Sequence, residues 1–311
     1  MMAPIATGEP TKLRVIFDSR PGPADPEAPR IPARCLAGPA EELIFPEAVA
    51  VETNPRLRLF RAGEFLVGHA SEPFSRTELS RASKTLYRRI LAACRGRHLV
   101  RLWNYVPDIN GSAGGLEHYR AFCEGRSFAF EEEFGQGFRP KLPAASAVGS
   151  EGDQLNVIFA AVDRKPEHFE NPEQVPAYLY PAEHGPRSPS FARATVAEVG
   201  GAKWAFISGT AAIKGHRTCF PDQLLPQIDC TLENLRLISK ASGWGEDLGA
   251  AAGATRHFKV YLRQPNDLGT TRDVLHRLLV RPADRVTYLH ADICRAELTV
   301  EIEATLVGSP I

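Results

Sequence analysis

No run of about 18 apolar residues occurs in this chain of 311, so no helix is expected to cross a membrane. The first twelve residues lack a charged start followed by an apolar stretch, and no secretory leader is expected there. The six cysteines form no CxxC pair, and the nine histidines form no HxxxH or HxH pair. A disulfide scaffold and a zinc site therefore have no support, and the expectation is a reduced, cytoplasmic protein without metal or cofactor. An excess of charge of one sign is also missing. Lys and Arg total 37, and so do Asp and Glu, so the basic footprint of a nucleic-acid binder is absent. The glycine-rich Gly111–Gly115 has neither GxGxxG nor P-loop spacing and is expected to be a loop.

What is present suits a globular protein of more than one core. The hydrophobic fraction is 43% and the charged fraction 24%, both ordinary, and the length is comfortable for two domains. Two stretches rich in Pro and Gly divide the chain. The first 50 residues are expected to be an extended or irregular lead-in; the second, Lys165–Pro189, is a packed linker or a functional loop. The expected divisions are a lead-in 1–50, a first unit 51–165 and a second unit 166–311.

Between the breaks the pattern repeats. Leu79, Ala82, Leu86, Ile90 and Ala93 have helical spacing, as do Leu224, Ile228, Leu232, Leu235 and Ile238. The first helix (78–96) is followed by a strand 99–106, a helix 116–124, a strand near 126–130 and a strand 155–162. The second (224–239) is followed by a strand 258–263, a helix 271–279, a strand near 286–290 and a strand 298–306. A strand pair precedes each set, at 57–66 and 195–208. Each unit is then a sheet with helices on one face, and two such units can cover each other sheet to sheet, leaving a cleft at the seam. Trp103-Asn104-Tyr105 is expected to pack in that seam, and Glu131–Glu133 to be a solvated strand end.

The last strand alternates strictly. Leu298, Val300, Ile302, Ala304 and Leu306 share one face; Glu297, Thr299, Glu301, Glu303 and Thr305 share the other. In a dry seam, Glu301 and Glu303 would lie roughly 6.5–7 Å apart, and neighbouring carboxylates raise one another's pKa. A carboxyl that keeps its proton near neutrality can serve as a general acid. The pattern alone equally fits a solvated outer face.

From Gly185 onward the sequence resembles the Rid (reactive imine deaminase) fold, through residues 185–194 (GPRSPSFARA), 206–211 (FISGTA), 231–235 and 300–304 (VEIEA). That resemblance implies a site at a seam, lined by the glutamate strand, the Ser-Gly turn and an arginine matching Arg285. Over roughly 55–311 the chain resembles the chorismatases of the 3-hydroxybenzoate synthase type. The pieces are Arg101–Asn110, Gly115–Cys123, Ser208–Ile213 with Gly215-His216, and Asp292–Arg295 leading into Glu301. The implied fold is α+β: two Rid/YjgF-like (chorismate-mutase-like) units with mixed sheets and helices on one face, pseudo-oligomeric within one chain.

The implied reaction is cleavage of chorismate to pyruvate and 3-hydroxybenzoate. Glu301 would protonate the enolpyruvyl methylene, and the ring hydroxyl would displace pyruvate through an arene-oxide-like intermediate. Cys294, seven residues before the acid, is associated by the resemblance with the 3-hydroxybenzoate route. The Ala211-Ala212 pair departs from the glycine expected in that type. Hydrolysis to a dihydroxycyclohexadienoate, or a mixture of 3- and 4-hydroxybenzoate, is therefore the alternative. The dianion needs cations, and the candidates are Arg187, Arg193, Arg120, Arg126 and Arg285. Tyr178 and Tyr180 offer hydroxyls, and the turn at Gly209 and Thr210 offers backbone N–H groups and a hydroxyl. His216 is expected to be structural. Two other classes fit part of the pattern, an imine deaminase and a non-catalytic aromatic-acid-binding protein. A chain that closes its own cleft is expected to be a monomer, a Rid-like trimer of chains being the alternative.

Overall fold

The computed structural model describes residues 11–20 and 28–308. In chain order the elements are β1 (Thr11–Phe17), β2 (Arg30–Ile31), β3 (Arg34–Ala37), β4 (Glu41–Asn54), β5 (Leu57–Ala62), β6 (Phe65–Pro73), α1 (Leu79–Ala93), β7 (His98–Pro107), β8 (Ser112–Ala113), β9 (Leu116–Glu117), α2 (His118–Phe134), β10 (Ala144–Ser150) and β11 (Gln154–Val162). There follow β12 (Glu167–Phe169), β13 (Ala194–Val199), β14 (Ala202–Thr210), β15 (Ile213–Lys214), β16 (Arg217–Thr218), α3 (Leu224–Ala241), β17 (Thr255–Leu262), α4 (Leu268–Leu278), β18 (Arg285–His290) and β19 (Val300–Val307).

Two mixed sheets result, in the orders β10-β7-β11-β6-β5-β4-β1-β2 and β12-β13-β14-β19-β17-β18-β3. Within them one five-stranded pattern occurs twice. In the first sheet β10 runs parallel to β7, and β11 lies antiparallel between β7 and β6. In the second, β18 runs parallel to β17, and β19 lies antiparallel between β17 and β14. The duplication read from the sequence pattern is therefore a duplication of topology, and the fold is α+β.

Each strand separates its side chains by parity. On β11, Leu155, Val157, Phe159 and Ala161 pack with α1 and α2, while Ile158, Ala160 and Val162 enter a second cluster between the sheets. On β19, Val300, Ile302, Ala304 and Leu306 pack with α3 and α4. The layers run helices, sheet, sheet, helices, with Trp103, Tyr105, Phe206 and Tyr261 buried in the middle. Trp103 and Tyr105 thus sit in the seam, as expected.

Three expectations are corrected. Residues 126–130 are not a strand, because α2 runs on to Phe134. Its buried positions 118, 121, 122, 125, 126, 129 and 130 follow one helical stripe, and the polar His118 and Arg126 and the Gly125 within that stripe hide the period. Glu131–Glu133 accordingly end a helix, where they pair with Arg187, Lys84 and Arg95. The strand paired parallel to β7 is instead β10, built of small residues. The described part of the N-terminal 50 residues is not irregular: β1 and β4 extend the first sheet, and β3 pairs with β18 in the second. Gly125 lets α1 and α2 touch, since a Cβ there would lie 2.0 Å from the Ser80 carbonyl oxygen.

Candidate active site

A cavity of about 450 Å³ opens at the seam, within the size range of small-ligand sites. Its wall takes Tyr119, Arg120 and Arg126 from α2, Ala145–Ala147 from β10, and Gly209, Cys294 and Glu301 from the second unit. The Pro-rich segment before β13 lines it with Tyr180, Glu183 and His184, so this stretch is cavity wall as well as linker.

Local sequence sets the acid in place. The alternation of β19 turns Glu301 and Glu303 into the seam, where both are buried. Opposite them β14 carries one extra residue: Ile207 pairs with Ala304, yet Thr210 pairs with Ile302. This bulge brings Gly209 against the acid. A Cβ at 209 would lie 2.1 Å from Glu301 Oε1 and 3.1 Å from Ser146 Cβ, so no other residue fits there without displacing the carboxyl. Ser208 holds the turn, donating to the Ala192 carbonyl (2.6 Å) and accepting from the Ala145 N–H (2.9 Å).

The two glutamates differ in charge state for visible reasons. Burial pushes the Glu301 carboxyl up to about 8, the nearby Glu303 pushes the same way, and Arg101 and Arg193 only partly oppose them. Oε1 of Glu301 is buried with no hydrogen-bond partner. Burial also opposes ionisation of Glu303, but Arg101 and Lys259 outweigh it and hold that carboxyl below its ordinary value. Arg101 Nη2 lies 2.7 Å from Glu303 and Lys259 Nζ 3.0 Å, while Trp103 Nε1–H donates at 2.7 Å and the Tyr261 hydroxyl at 3.1 Å. The surroundings thus favour the protonated form of Glu301 and the ionised form of Glu303. This is the arrangement that makes a general acid.

The anion-binding side is equally particular. Arg126 is 1% exposed, yet its Nε and Nη2 have no protein partner. Its guanidinium lies over the Phe122 ring, 5.1 Å from the centroid. Nε and Nη2 form the side-on fork that grips a carboxylate through two hydrogen bonds. Arg193 donates through Nη2 to the Tyr180 hydroxyl (2.7 Å), stacks 5.0 Å from the Phe191 ring centroid, and leaves its Nε free. Arg120 is at the rim, paired with Glu117 at 3.1 Å. Burial and the Glu301 carboxyl push the Cys294 thiol well above its ordinary value, so the sulfur faces the cavity as a neutral thiol.

Of the residues expected at the site, Glu301, Cys294, Arg193, Arg126, Arg120, Tyr180, Gly209 and Ala211 line this cavity. Arg187 does not; it pairs with Glu131 at 2.9 Å and stacks on Phe128. Tyr178 packs at the edge of the first core, and Ala212 is buried beneath the wall. Thr210 spends its hydroxyl on the Ser208 carbonyl at 2.8 Å. Arg285 is exposed at the far end of β18, opposite His257 and level with Thr305, in a separate surface hollow. Tyr119, Arg295, Glu297, Glu183 and His184 line the cavity without having been singled out. Tyr119 and Arg295 fall inside motifs quoted above, which was the only signal for them. His216 bonds to His184 at 2.9 Å, and Glu183 lies 3.3 Å from His216. These three are the one grouping of potential metal ligands among the described residues, and here the two rings satisfy each other.

Residues 41–161 match the family model described as chorismatase FkbO/Hyg5-like, N-terminal. The chain is 36% identical over 255 residues to a 3-hydroxybenzoate synthase of Streptomyces hygroscopicus, covering 78% of this chain and 73% of that protein. It is 38% identical over 218 residues to a chorismatase of Streptomyces rapamycinicus, covering 67% and 64% respectively. A chorismatase crystal structure superposes with a TM-score of 0.80 at 29% identity, over 98% of this chain and 95% of that one.

Proposed function

The chain belongs to the chorismatase family, and from that premise we propose that it cleaves chorismate to pyruvate and 3-hydroxybenzoate at the seam cavity. The observation that carries this reading is a buried carboxyl with its pKa raised to about 8, in the same cavity as unpartnered guanidinium donors on two arginines.

In this reading Arg126 grips one carboxylate side-on through Nε and Nη2, and Arg193 takes the second through Nε. Glu301 gives its proton to the methylene carbon of the enol ether, leaving an oxocarbenium ion in the cavity. The ring hydroxyl attacks the adjacent ring carbon as the ether C–O bond breaks. That bond's electrons form the carbonyl of pyruvate, and the hydroxyl proton is released. The resulting epoxide opens, loses the hydrogen at the neighbouring ring carbon and becomes aromatic. Chorismate divides into the two products with no water consumed, so the cavity must exclude water from the cation. Cys294 and Ala211 stand in the wall for that purpose, small, neutral and unable to activate a water molecule.

We also propose that residues 166–311 act as the catalytic unit and 51–165 as its degenerate copy. Both units supply cavity wall, which favours action as a monomer, and the cytoplasm is the compartment proposed with it. No helix among the described residues is long and apolar enough to cross a membrane. An imine deaminase using Arg285 is disfavoured by that residue's distance along the strand from Glu301.

The test is to mix the protein with chorismate, without metal or nucleotide, and to follow pyruvate and ring acids by chromatography. Pyruvate with 3-hydroxybenzoate is expected. Pyruvate with a cyclohexadienoate would overturn the water-exclusion step, and untouched chorismate would overturn the reading.

A further inference from the structure

Four buried charges line up across the seam behind the acid. Arg101 comes from β7, Glu303 from β19, Lys259 from β17 and Glu42 from β4. Arg101 Nη2 contacts Glu303 at 2.7 Å, Lys259 Nζ contacts Glu303 at 3.0 Å, and the same Nζ contacts Glu42 at 2.9 Å. His257 lies 3.3 Å from Glu42 and ends the chain. Trp103 lies between the cations, its ring centroid 5.1 Å from the Arg101 guanidinium and 4.8 Å from Lys259 Nζ. None of these groups lines the cavity except through Glu301.

Two features make this more than a buried staple. Taking charges from water is costly, and a hydrophobic seam of the same shape would hold the sheets as well. The direction of the contacts is also selective. Arg101 and Lys259 both turn onto Glu303, and no donor reaches Oε1 of Glu301 on the same face of the same strand. A single cation placed between the two carboxyls would ionise both.

We propose that Glu303, clamped between Arg101 and Lys259, is the positioning residue that keeps Glu301 in its proton-bearing form, and that Glu42 completes the device by drawing Lys259 away from the acid. The chain assigns a role to an N-terminal strand outside the two expected units. This inference rests on the reading of Glu301 as the acid. The other groups facing Glu301 are Arg193, Arg126, Arg295, Cys294 and Glu297 around the cavity, and Tyr261 beside it in the sheet. Burial raises Glu301 first and Glu303 second, with Arg101 and Arg193 acting against them.

The test is titration of the Glu301 carboxyl by difference infrared spectroscopy in the unliganded protein, its band assigned by its loss in Glu301→Gln. Glu303→Gln removes the negative neighbour and leaves two cations, so the midpoint should fall by at least one pH unit. Glu42→Gln should lower it by less, and Lys259→Met should raise it. Glu303→Asp should restore most of the wild-type midpoint. A merely structural chain would lower thermal stability in all four variants and leave the midpoint where it was, which would overturn the proposal. If Glu303→Gln does not fold, the opposite shifts in Glu42→Gln and Lys259→Met still decide. The titration needs no substrate, so failure to cleave chorismate and failure of the charge chain register separately.

Discussion

The two halves of this molecule share one topology and differ in what their central strand presents to the seam. β19 offers Glu301, Glu303 and Thr305. Its counterpart β11 offers Ile158, Ala160 and Val162, with Asn156 at the end bonded to His69. The partner strands differ too. β6 pairs with β11 without a break from Phe65 to Pro73, whereas β14 bulges beside Glu301. Each partner strand carries a glycine facing its central strand. A Cβ at Gly68 would strike the Phe159 ring at 2.1 Å, and one at Gly209 would strike the Glu301 carboxyl at the same distance. The first glycine admits an aromatic ring to a core; the second admits an acid to a cavity. The first half supplies Arg101 and Arg126 to the seam, and the second supplies Glu301 and Glu303. Duplication within one chain allows this, because each half is free to lose what the other supplies.

The sharpest way to break the comparison is to remove the acid. Glu301→Gln should lower kcat by about 10³-fold, within the 10²–10⁴ range of general acids, with substrate binding retained. It should also stabilise the protein near neutrality. The folded state raises this carboxyl from 4.5 to about 8, so between those values it holds a proton the unfolded chain does not. Wild-type stability therefore falls as pH rises through that window, by up to roughly 3 kcal/mol at neutral pH. The amide variant should lose that slope in thermal melts recorded across the window. Equal pH slopes in both proteins would mean that Glu301 ionises normally. If the same proton drives cleavage, kcat/KM, which reports the unliganded enzyme, should be flat below pH about 8 and fall tenfold per unit above it. An alkaline limb starting near 5 would sink the acid role.

The paired glycines give a finer contrast. Gly209→Ala should cost roughly 10- to 100-fold in kcat with little change in melting temperature, since displacing the acid by an ångström is enough. Gly68→Ala should do the reverse, destabilising by about 1–3 kcal/mol through overpacking while kcat holds. Loss of activity in both, or in neither, would dissolve the distinction between scaffold and site.

Much of this was legible because period-two alternation and helical spacing survive in single segments. β19 and α3 are readable alone, since Leu298–Leu306 alternate without a break and Leu224, Ile228, Leu232, Leu235 and Ile238 keep helical spacing despite buried polar neighbours such as Thr231 and Asn234. α2 was not: Arg126 sits on its buried face, and a polar residue in an apolar stripe imitates a strand boundary. The N-terminal strands were hidden for a different reason. β3 finds its partner in β18, some 250 residues later, and nothing local in a Pro-rich stretch announces a distant edge. Arg285 shows the limit of resemblance. It identified the strand, but register decides which residue reaches the cavity, and Arg285 lies four residues from Leu289, which is level with Glu301 across β17. Arg126, with the same prior claim, was brought in by helix packing that no pattern displays.

The smallest expected effect concerns product rather than rate. Cys294 lies in the wall seven residues before the acid, neutral and partly open to the cavity. Trimming it to alanine removes one sulfur's volume, about that of a water molecule. Cys294→Ala should therefore leave pyruvate release within about threefold of wild type, since the protonation step is untouched. What should change is the ratio of ring products, with a measurable share of cyclohexadienoate as water reaches the cation. Chromatography of a single turnover gives that ratio directly, and Cys294→Ser, which restores volume but adds a hydroxyl able to orient water, should shift it further. If both variants make the wild-type product mixture, Cys294 is wall and nothing more, and the exclusion of water belongs to the closure of the two halves over the ring.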